Sequence, residues 1–555
     1  MIPGSIPPPS NWHPLPVEAG GTGGTTPTVA RQKLGLQIPT GGAGNITFLQ
    51  SGSGAVARTV QAKERDIVSV ADYASYGVSS SGNTTALISA LTASNDVIVE
   101  AGIYNNVDIS FSGKTLRMKA GVTFKLPNGT VIGGATSGPA VLQVSGANVT
   151  IVGNFTIDGN KANNDASSFL TSYQVGSLHI SGANCRLEGT VTITDAYWRG
   201  FTVQNGDSSG NEVDTFNANC IKINSSFSYA AMFWTAKNFH IDRIEITRGS
   251  NLDARVRFGT QGGSTGQARD GYIGSIKSDS SVVFEAKAYN IEIGSVNCAV
   301  FKFQDATDCH VDKVTADYTA GYTQDQVDSF GIGFNDAIRC TIGIGRVTRF
   351  NCTTESAFTI GGTAGSGSID CRIGCLFVDG TLHAVTDCRI ITVDGLDIGL
   401  LSLKSAIATG FLFDTDSTAG VLQPQRRITI GALISIGHTT DVSIESASVS
   451  RNEQIKIDYI NPDAVIAVGG AQQPYGAFSW VTGTASATMT CGFVTANSTM
   501  IVMPADQPAG IVVQTKGFYV TCAAGSFTIH TGDGTNTANT SNWKFNVFSP
   551  HSPAF

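Results

Sequence analysis

Charge is scarce in this chain: only 14% of its 555 residues are Asp, Glu, Lys or Arg, against about 25% in ordinary soluble domains. The remaining balance is slightly acidic, with a net charge of −8. No basic run is present, which argues against nucleic acid and anionic membranes as partners. No stretch reaches the ~18 apolar residues of a membrane-spanning helix. The N-terminus, MIPGSIPPPSNWHPL, lacks the basic-then-apolar pattern of a secretory signal. The eight histidines, His13, His179, His240, His310, His383, His438, His530 and His551, are scattered singly. They offer no His-x-x-x-His spacing and no visible Ser-His-Asp grouping, so zinc and triad chemistry are not expected. No cofactor motif appears, and none is expected to be bound.

Eleven cysteines make an odd count. Most, such as Cys185, Cys298, Cys309 and Cys371, lie in apolar alternating stretches and read as small reduced core residues, in a protein assembled in a reducing compartment. Cys371 and Cys375, four apart on a strand, would face one side, but no histidine completes a metal set.

What fills the gap left by charge is Gly, Ser, Thr, Asn and Val, a mixture suited to short strands and many turns. Residues 1–60 are rich in Pro, Gly and Thr and cannot bury a core alone. Residues 61–100 read as a transition, with TTALISALTA at 84–93 forming a short helix, capped by Thr84 or Thr85, that covers the open end of a solenoid.

From about residue 97 short alternating strands take over. A motif of aliphatic, Gly or Asp, any residue, aliphatic recurs at Ile241-Asp242-Arg243-Ile244, Ile273-Gly274-Ser275-Ile276, Ile293-Gly294-Ser295-Val296 and Val311-Asp312-Lys313-Val314. It continues at Ile344-Gly345-Arg346-Val347, Ile373-Gly374-Cys375-Leu376, Ile398-Gly399-Leu400-Leu401, Ile430-Gly431-Ala432-Leu433 and Ile457-Asp458-Tyr459-Ile460. The eight intervals cover 216 residues, a mean of 27. That is one coil of a three-sheet parallel β-helix, with the Gly or Asp at the bend between two sheets. Earlier variants, Asn148-Val149-Thr150-Ile151 and Asn184-Cys185-Arg186-Leu187, stand 36 apart and imply longer coils. A leucine-rich repeat has a similar period but needs a Leu-x-x-Leu-x-Leu pattern that is missing. The fold expected is all-β, a right-handed parallel β-helix over 101–468. Beyond it, 469–555 reads as a small β-sandwich with strands at 484–493, 498–503, 511–521, 526–531 and 543–548.

Three regions resemble bacteriophage tailspike and tail-fibre proteins. GGTGGTTPTVARQKLGL at 20–36 is similar to a stretch near the particle-proximal end of tail fibres. Arg65-Asp66-Ile67-Val68-Ser69-Val70-Ala71-Asp72-Tyr73 and Glu100-Ala101-Gly102-Ile103-Tyr104 resemble the start of the tailspike β-helix, although the family's Gly-Asp-Gly turn is replaced by Tyr76-Gly77-Val78-Ser79-Ser80. Residues 497–548 resemble a C-terminal tail-fibre domain. The resemblance covers both ends and the start of the helix, and the middle is matched by architecture only. It implies a homotrimer, attachment to the phage tail or baseplate through residues 1–60, location in the virion tail after assembly in the host cytoplasm and release by lysis, and a bacterial surface polysaccharide as receptor. Many members also cleave that polysaccharide; others are adhesive fibres that only bind it. No family catalytic motif transfers to this chain.

Glycoside hydrolysis needs two carboxyl groups ~5–9.5 Å apart, and successive coils lie ~4.8 Å apart. Stacked acids on neighbouring coils therefore suffice. Glu285 and Asp305, which occupy equivalent strands before two copies of the motif, form the first candidate pair, with Glu285 as general acid and Asp305 or Asp253 as its partner. Arg255, Arg257 and Lys287 are placed to hold an acidic sugar. The alternative is a solvated ladder of opposite charges with no substrate. Tyr318 and Tyr322, in a long insert rich in Asp and Gln, offer sugar-stacking rings, as does Trp198; Trp234 reads as core or subunit interface, and Asp158-Gly159-Asn160 as a turn.

Overall fold

The structure, a computed structural model, describes residues 47–48, 58–59 and 67–548, except for 131–139, 165–175, 197–198, 206–211, 227–228, 248–254, 260–266, 318–330, 351–355, 362–366, 380–385, 408, 415–425, 445–452, 461–465, 469–474, 481–483, 491–498, 505–508, 510–511, 513, 524–525 and 539–540. Of the expected attachment segment, only Thr47–Phe48 and Arg58–Thr59, which pair antiparallel, fall within these bounds.

The chain is a long parallel β-helix. One sheet of 14 strands runs from Val107–Ile109 to Ile466–Val468, every neighbour parallel and one coil further along the sequence. A second sheet of 18 strands folds over two faces. Its long strands bend, so that the first half of Cys185–Ala196 pairs with Thr150–Val152 and the second half with Phe155–Asp158. Three faces result. At the bend sits the repeated motif, and Ile241, Ile273, Ile293, Val311, Ile342, Ile373, Ile398, Ile430 and Ile457 stack in one column. One copy differs from the sequence reading: the column passes through Ile342-Gly343, not Ile344-Gly345, and Ile344 lies outside, 46% exposed. Glycine recurs at the bend, although Asp242, Asp312 and Asp458 also occupy it, because its missing Cβ eases a close approach of coils. A Cβ on Gly374 would meet the Gly343 carbonyl oxygen at 2.5 Å, and one on Gly399 the Gly374 oxygen at 2.5 Å.

Alternation on the 14-stranded sheet points two columns inward. One of them is aromatic through its middle: Phe233, Phe258, Phe284, Phe303 and Phe334 succeed one another with ring centroids 4.8–5.1 Å apart. All five are at most 1% exposed. At the corner after each bent strand's predecessor, Asn184, Asn238, Asp270, Asn290, Asp308 and Asp370 take left-handed backbone conformations with φ between 49° and 55°, which Asn and Asp tolerate best. Asn160 (φ 52°) does the same in the Asp158–Asn160 turn, where its backbone N–H donates to Asp158 Oδ1.

The N-terminal helix begins earlier than expected, at Ser80–Ala93, because Ser79 rather than Thr84 or Thr85 caps it by accepting from the Gly82 N–H. Leu87 and Leu91 are fully buried and join the same core as Val97, Val99 and Tyr104, so the helix does close the end of the solenoid. At the other end, two three-stranded antiparallel sheets share a core around Trp480 and Trp543. A strand at Tyr475–Trp480 was not foreseen. The strand expected over 511–521 is Phe518–Ala523, preceded by a helical turn in which Lys516 N–H donates to the Val512 carbonyl.

The cysteines of the described residues are all thiols. Cys309, Cys340 and Cys371 occupy consecutive coils and donate weakly to backbone oxygens, and burial pushes the Cys185 thiol up to about 11. Cys371 and Cys375 do not share a side: the bend at Gly374 interrupts the alternation, so Cys371 is buried and Cys375 is half-exposed. Among the described residues no helix is long and apolar enough to cross a membrane.

Candidate functional site

Between the two inward columns of the 14-stranded sheet runs an outward one. Its register is His179, Thr202, Met232, Arg257, Val283, Lys302, Gly333 and Thr359. Outward residues of an exposed sheet should be wet, yet His179, Thr202, Met232, Arg257, Val283, Lys302 and Thr359 are all at most 8% exposed. Met232, Val283 and nearby Trp234 are buried without belonging to the main core. This face is therefore covered, and polar groups sit under the cover.

Their arrangement is specific. The Arg257 guanidinium donates from Nη2 to Glu285 Oε2 and lies 5.0 Å from the centre of the Tyr229 ring. Arg199 lies 5.5 Å from the same ring and 5.3 Å from that of Trp234. Among the described residues, His179 Nδ1, Thr202 Oγ1, Arg257 Nε and Thr359 Oγ1 are buried with no hydrogen-bond partner, a costly state that a bound ligand or water relieves. Burial, aided by the charge of Arg199, pushes His179 down to about 4 and keeps it neutral at pH 7.

The turn leaving this sheet holds the titratable pair. Phe303-Gln304-Asp305-Ala306 and Phe334-Asn335-Asp336-Ala337 repeat one pattern on consecutive coils. Bridges of Tyr289 to Thr307, Thr307 to Ile338 and Ile338 to Ile369 fix the register, which stacks Lys287, Asp305, Asp336 and Gly367. All four have positive φ, from 50° to 68°. Asp305 is exposed and Asp336 half-buried. Loss of water raises both carboxyls above their usual range. For Asp336 the neighbouring Asp305 charge adds to that rise, while the Gly367 amide hydrogen bond and Lys302 oppose it. Lys302 also moderates Asp305. The Oδ1 of Asp336 is buried without a partner among the described residues. Two carboxyls about one coil apart, one of them biased toward the protonated form, can act as acid and base on a bond lying between them.

The residues singled out from the sequence fall unequally. Asp305 is in this pair. Glu285 is not stacked on it, because Phe284-Glu285-Ala286-Lys287 contains one residue more before the corner, and Lys287 takes the place under Asp305. Glu285 instead points outward, 8% exposed, and serves Arg257. Arg255 is buried at the start of Val256–Phe258, its carbonyl accepting from Ala230 N–H. Asp253, Tyr318, Tyr322 and Trp198 lie outside the described residues. Asp336 is not among the residues singled out from the sequence, although the repeated Phe-x-Asp-Ala places it level with Asp305.

Also unforeseen is a sealed cluster near the C-terminal coils. His438 Nε2 is 2.8 Å from Asp387 Oδ2, both side chains fully buried, and His438 Nδ1 is 2.9 Å from Ser435 Oγ. With no exposure, this grouping ties coils together instead of meeting a substrate. A shallow concavity of about 320 Å³ on another face is lined by Asn238, Asp270, Tyr272, Asn290 and Glu292, and the Tyr272 ring stacks on His240 at 5.0 Å.

No protein-family model matches the chain, and no curated protein matches it. Similar solved structures include a mutant of the tailspike protein of E. coli bacteriophage HK620 in complex with a pentasaccharide, at 12% identity, covering 92% of this chain and 98% of that one, with a TM-score of 0.46. Another is the Gp54 tailspike of Acinetobacter baumannii bacteriophage AP22 in complex with A. baumannii capsular saccharide, at 9% identity, 91% and 99% coverage and a TM-score of 0.42. Both of these similar structures are phage tailspikes, and the chain itself is a long parallel β-helix.

Proposed function

We propose that this chain is a phage tailspike or tail-fibre protein that binds a bacterial surface polysaccharide and hydrolyses it between Asp336 and Asp305. The observation that carries the catalytic half is the stacked pair itself, two carboxyls on consecutive coils beside a covered face with unsatisfied polar groups. Asp336, with the Asp305 charge against it, is the general acid that protonates the leaving glycosidic oxygen. Asp305, beside Lys302, is the ionised partner. A coil spacing of about 4.8 Å lies near the ~5–5.5 Å of retaining enzymes, so Asp305 is assigned as nucleophile and the product keeps its anomeric configuration. Arg257, positioned by Glu285, lies with Thr202, His179 and Thr359 under the cover of the neighbouring face and supports the site from beneath. Lys287 and Arg255 flank it, and the rings of Trp198, Tyr318 and Tyr322 are assigned to sugar stacking. In this reading the protein is a homotrimer of the virion tail, attached through residues 1–60.

The test is incubation with capsule and lipopolysaccharide from candidate hosts, followed by sizing of the sugar. Shortened chains, lost in Asp336→Asn and in Asp305→Asn, support the assignment. An unsaturated product absorbing in the ultraviolet rejects hydrolysis in favour of a lyase. Tight binding without shortening makes the protein an adhesive fibre.

A further inference from the structure

One column of the helix changes character halfway. The position just after each bend Gly or Asp is occupied by Arg243, Ser275, Ser295 and Lys313 in the first four coils of the repeat. From the next coil on it is Ile344, Cys375, Leu400, Ala432 and Tyr459. The neighbouring outward column follows suit, from Glu245, Lys277, Asn297 and Thr315 to Arg346, Phe377, Ser402 and Ile434. Ile344 and Tyr459, at the two ends of the column, are 46% and 52% exposed, Cys375, Leu400 and Ala432 between them are half-buried, and Ile436 on the flank is 53% exposed. A straight apolar edge about 19 Å high, four coil steps of ~4.8 Å, is thus left open on a chain otherwise polar at the same positions. Contiguous exposed apolar surface of this kind marks an interaction site.

We infer that this edge is where parallel copies of the chain meet around a common axis. The inference rests on the assembly part of the proposed function and adds the surface that performs it. Charge on the two flanks selects a second copy as the occupant. On the face before the bend, Arg372 is followed one coil later by Asp397, with which it pairs at 3.3 Å within the chain, as Asp379 pairs with Arg346 at 3.4 Å, so a neighbour would extend these half-exposed ladders. On the face after it, Asp379 is followed by Lys404. Arg372 and Asp379 belong to one coil, Ser368–Asp379, and Asp397 and Lys404 to the next, Val393–Lys404. When copies are related by rotation about an axis parallel to the helix, every residue stays at its own height. The flank before the bend of one copy then faces the flank after the bend of the next. Arg372 meets Asp379 of the neighbour, Asp397 meets Lys404 of the neighbour, and the apolar column lies between at the axis. Such a head-to-tail interface closes into a ring, with a dry centre and a paired polar rim. Residues on the axis face their own copies, which accounts for the uncharged column from Ile344 to Tyr459. The same geometry would set Arg243 against Arg243 and Lys313 against Lys313, so the contact is confined to the C-terminal coils.

Cys375 reports on this directly, because at the axis its copies are neighbours. The full chain, with Cys352, Cys491 and Cys522 changed to Ser, is treated with a short bis-maleimide, and its mass is read by light scattering and denaturing gel. The expected result is an assembled species that yields a covalent dimer, lost in Cys375→Ser. Leu400→Asp and Tyr459→Asp should dissolve the assembly, while Lys313→Asp, in the same column but outside the contact, leaves it intact. An assembled protein that gives no Cys375 cross-link, and whose mass Leu400→Asp and Tyr459→Asp leave unchanged, overturns the edge but not the assembly. A monomeric full chain overturns both, without touching the polysaccharide reading, which the sizing experiment decides separately.

Discussion

Neutralising Glu285 is the change whose consequence can be worked out most fully. The Arg257 side chain is 2% exposed and that of Glu285 10% exposed, and the two are directly bonded. Glu285→Gln keeps the shape and removes the charge, leaving a guanidinium with little access to water. Breaking a buried pair from one side costs about 3–5 kcal/mol, most of it the uncompensated charge. Replacing both partners by apolar residues of similar volume, Arg257→Met with Glu285→Leu, should cost far less and can stabilise by about 1–4 kcal/mol. The assay is hydrogen-exchange protection of the amides in the strands Val256–Phe258, Ser281–Phe284 and Val300–Gln304, which read opening of these coils instead of global unfolding. The single variant should lose protection there and the double variant regain it. If Glu285→Gln changes local protection by less than about 0.5 kcal/mol, typical of an exposed site, the pair is not desolvated and the covered-face argument fails.

Phe258→Ala, which removes the ring stacked between Phe233 and Phe284 at 4.9 and 4.8 Å, should cost about 3–5 kcal/mol and appear as faster thermal inactivation. His179 makes the fold acid-sensitive. Its folded value of about 4 lies below the ordinary 6.5, so its contribution is fully present above pH 6.5 and is lost as pH falls toward 4, by about 3 kcal/mol in all. His179→Gln should flatten that part of the stability–pH curve, and an unchanged curve would show that the imidazole is wet. Removal of residues 1–60 should leave a folded assembly that still binds cells, checked by light scattering and cell pull-down; loss of all folding would contradict a separate attachment segment.

The coil period was readable because inward aliphatics and bend glycines recur as a pair, each demanded by close packing of one coil on the next. The slip at Ile342-Gly343-Ile344-Gly345 arose because this stretch fits the motif twice, and only the neighbours above and below choose between the fits. Helix onset was misjudged because Ser80, Ser81 and Gly82 have weak helix propensity, whereas the Ser79 cap and the packing of Leu87 decide. Of the proposed pair, Asp305 is read from the sequence and Asp336 is not. Glu285 stands before the bend motif at the place equivalent to Asp305 in sequence, but a single extra residue in that coil moves it off the column. The repeat Phe-x-Asp-Ala at 303–306 and 334–337 held the better signal, but it reads first as turn chemistry, since both aspartates do occupy left-handed turns. The grouping of His438 with Asp387 joins residues 51 apart, and no local pattern announces it.

The most direct test of the central claim is cleavage of cognate polysaccharide by the wild-type chain and by Asp336→Asn across pH. Asp336 must be protonated to act, and its carboxyl is raised by desolvation and by Asp305. Activity should therefore fall as pH rises through that raised value, and Asp336→Asn should lose about 10²–10⁴-fold in kcat on the acid side of it, with that alkaline fall abolished, while still binding the glycan. Full cleavage by Asp336→Asn, with an unchanged pH profile, would contradict the assignment of this pair as the site of hydrolysis.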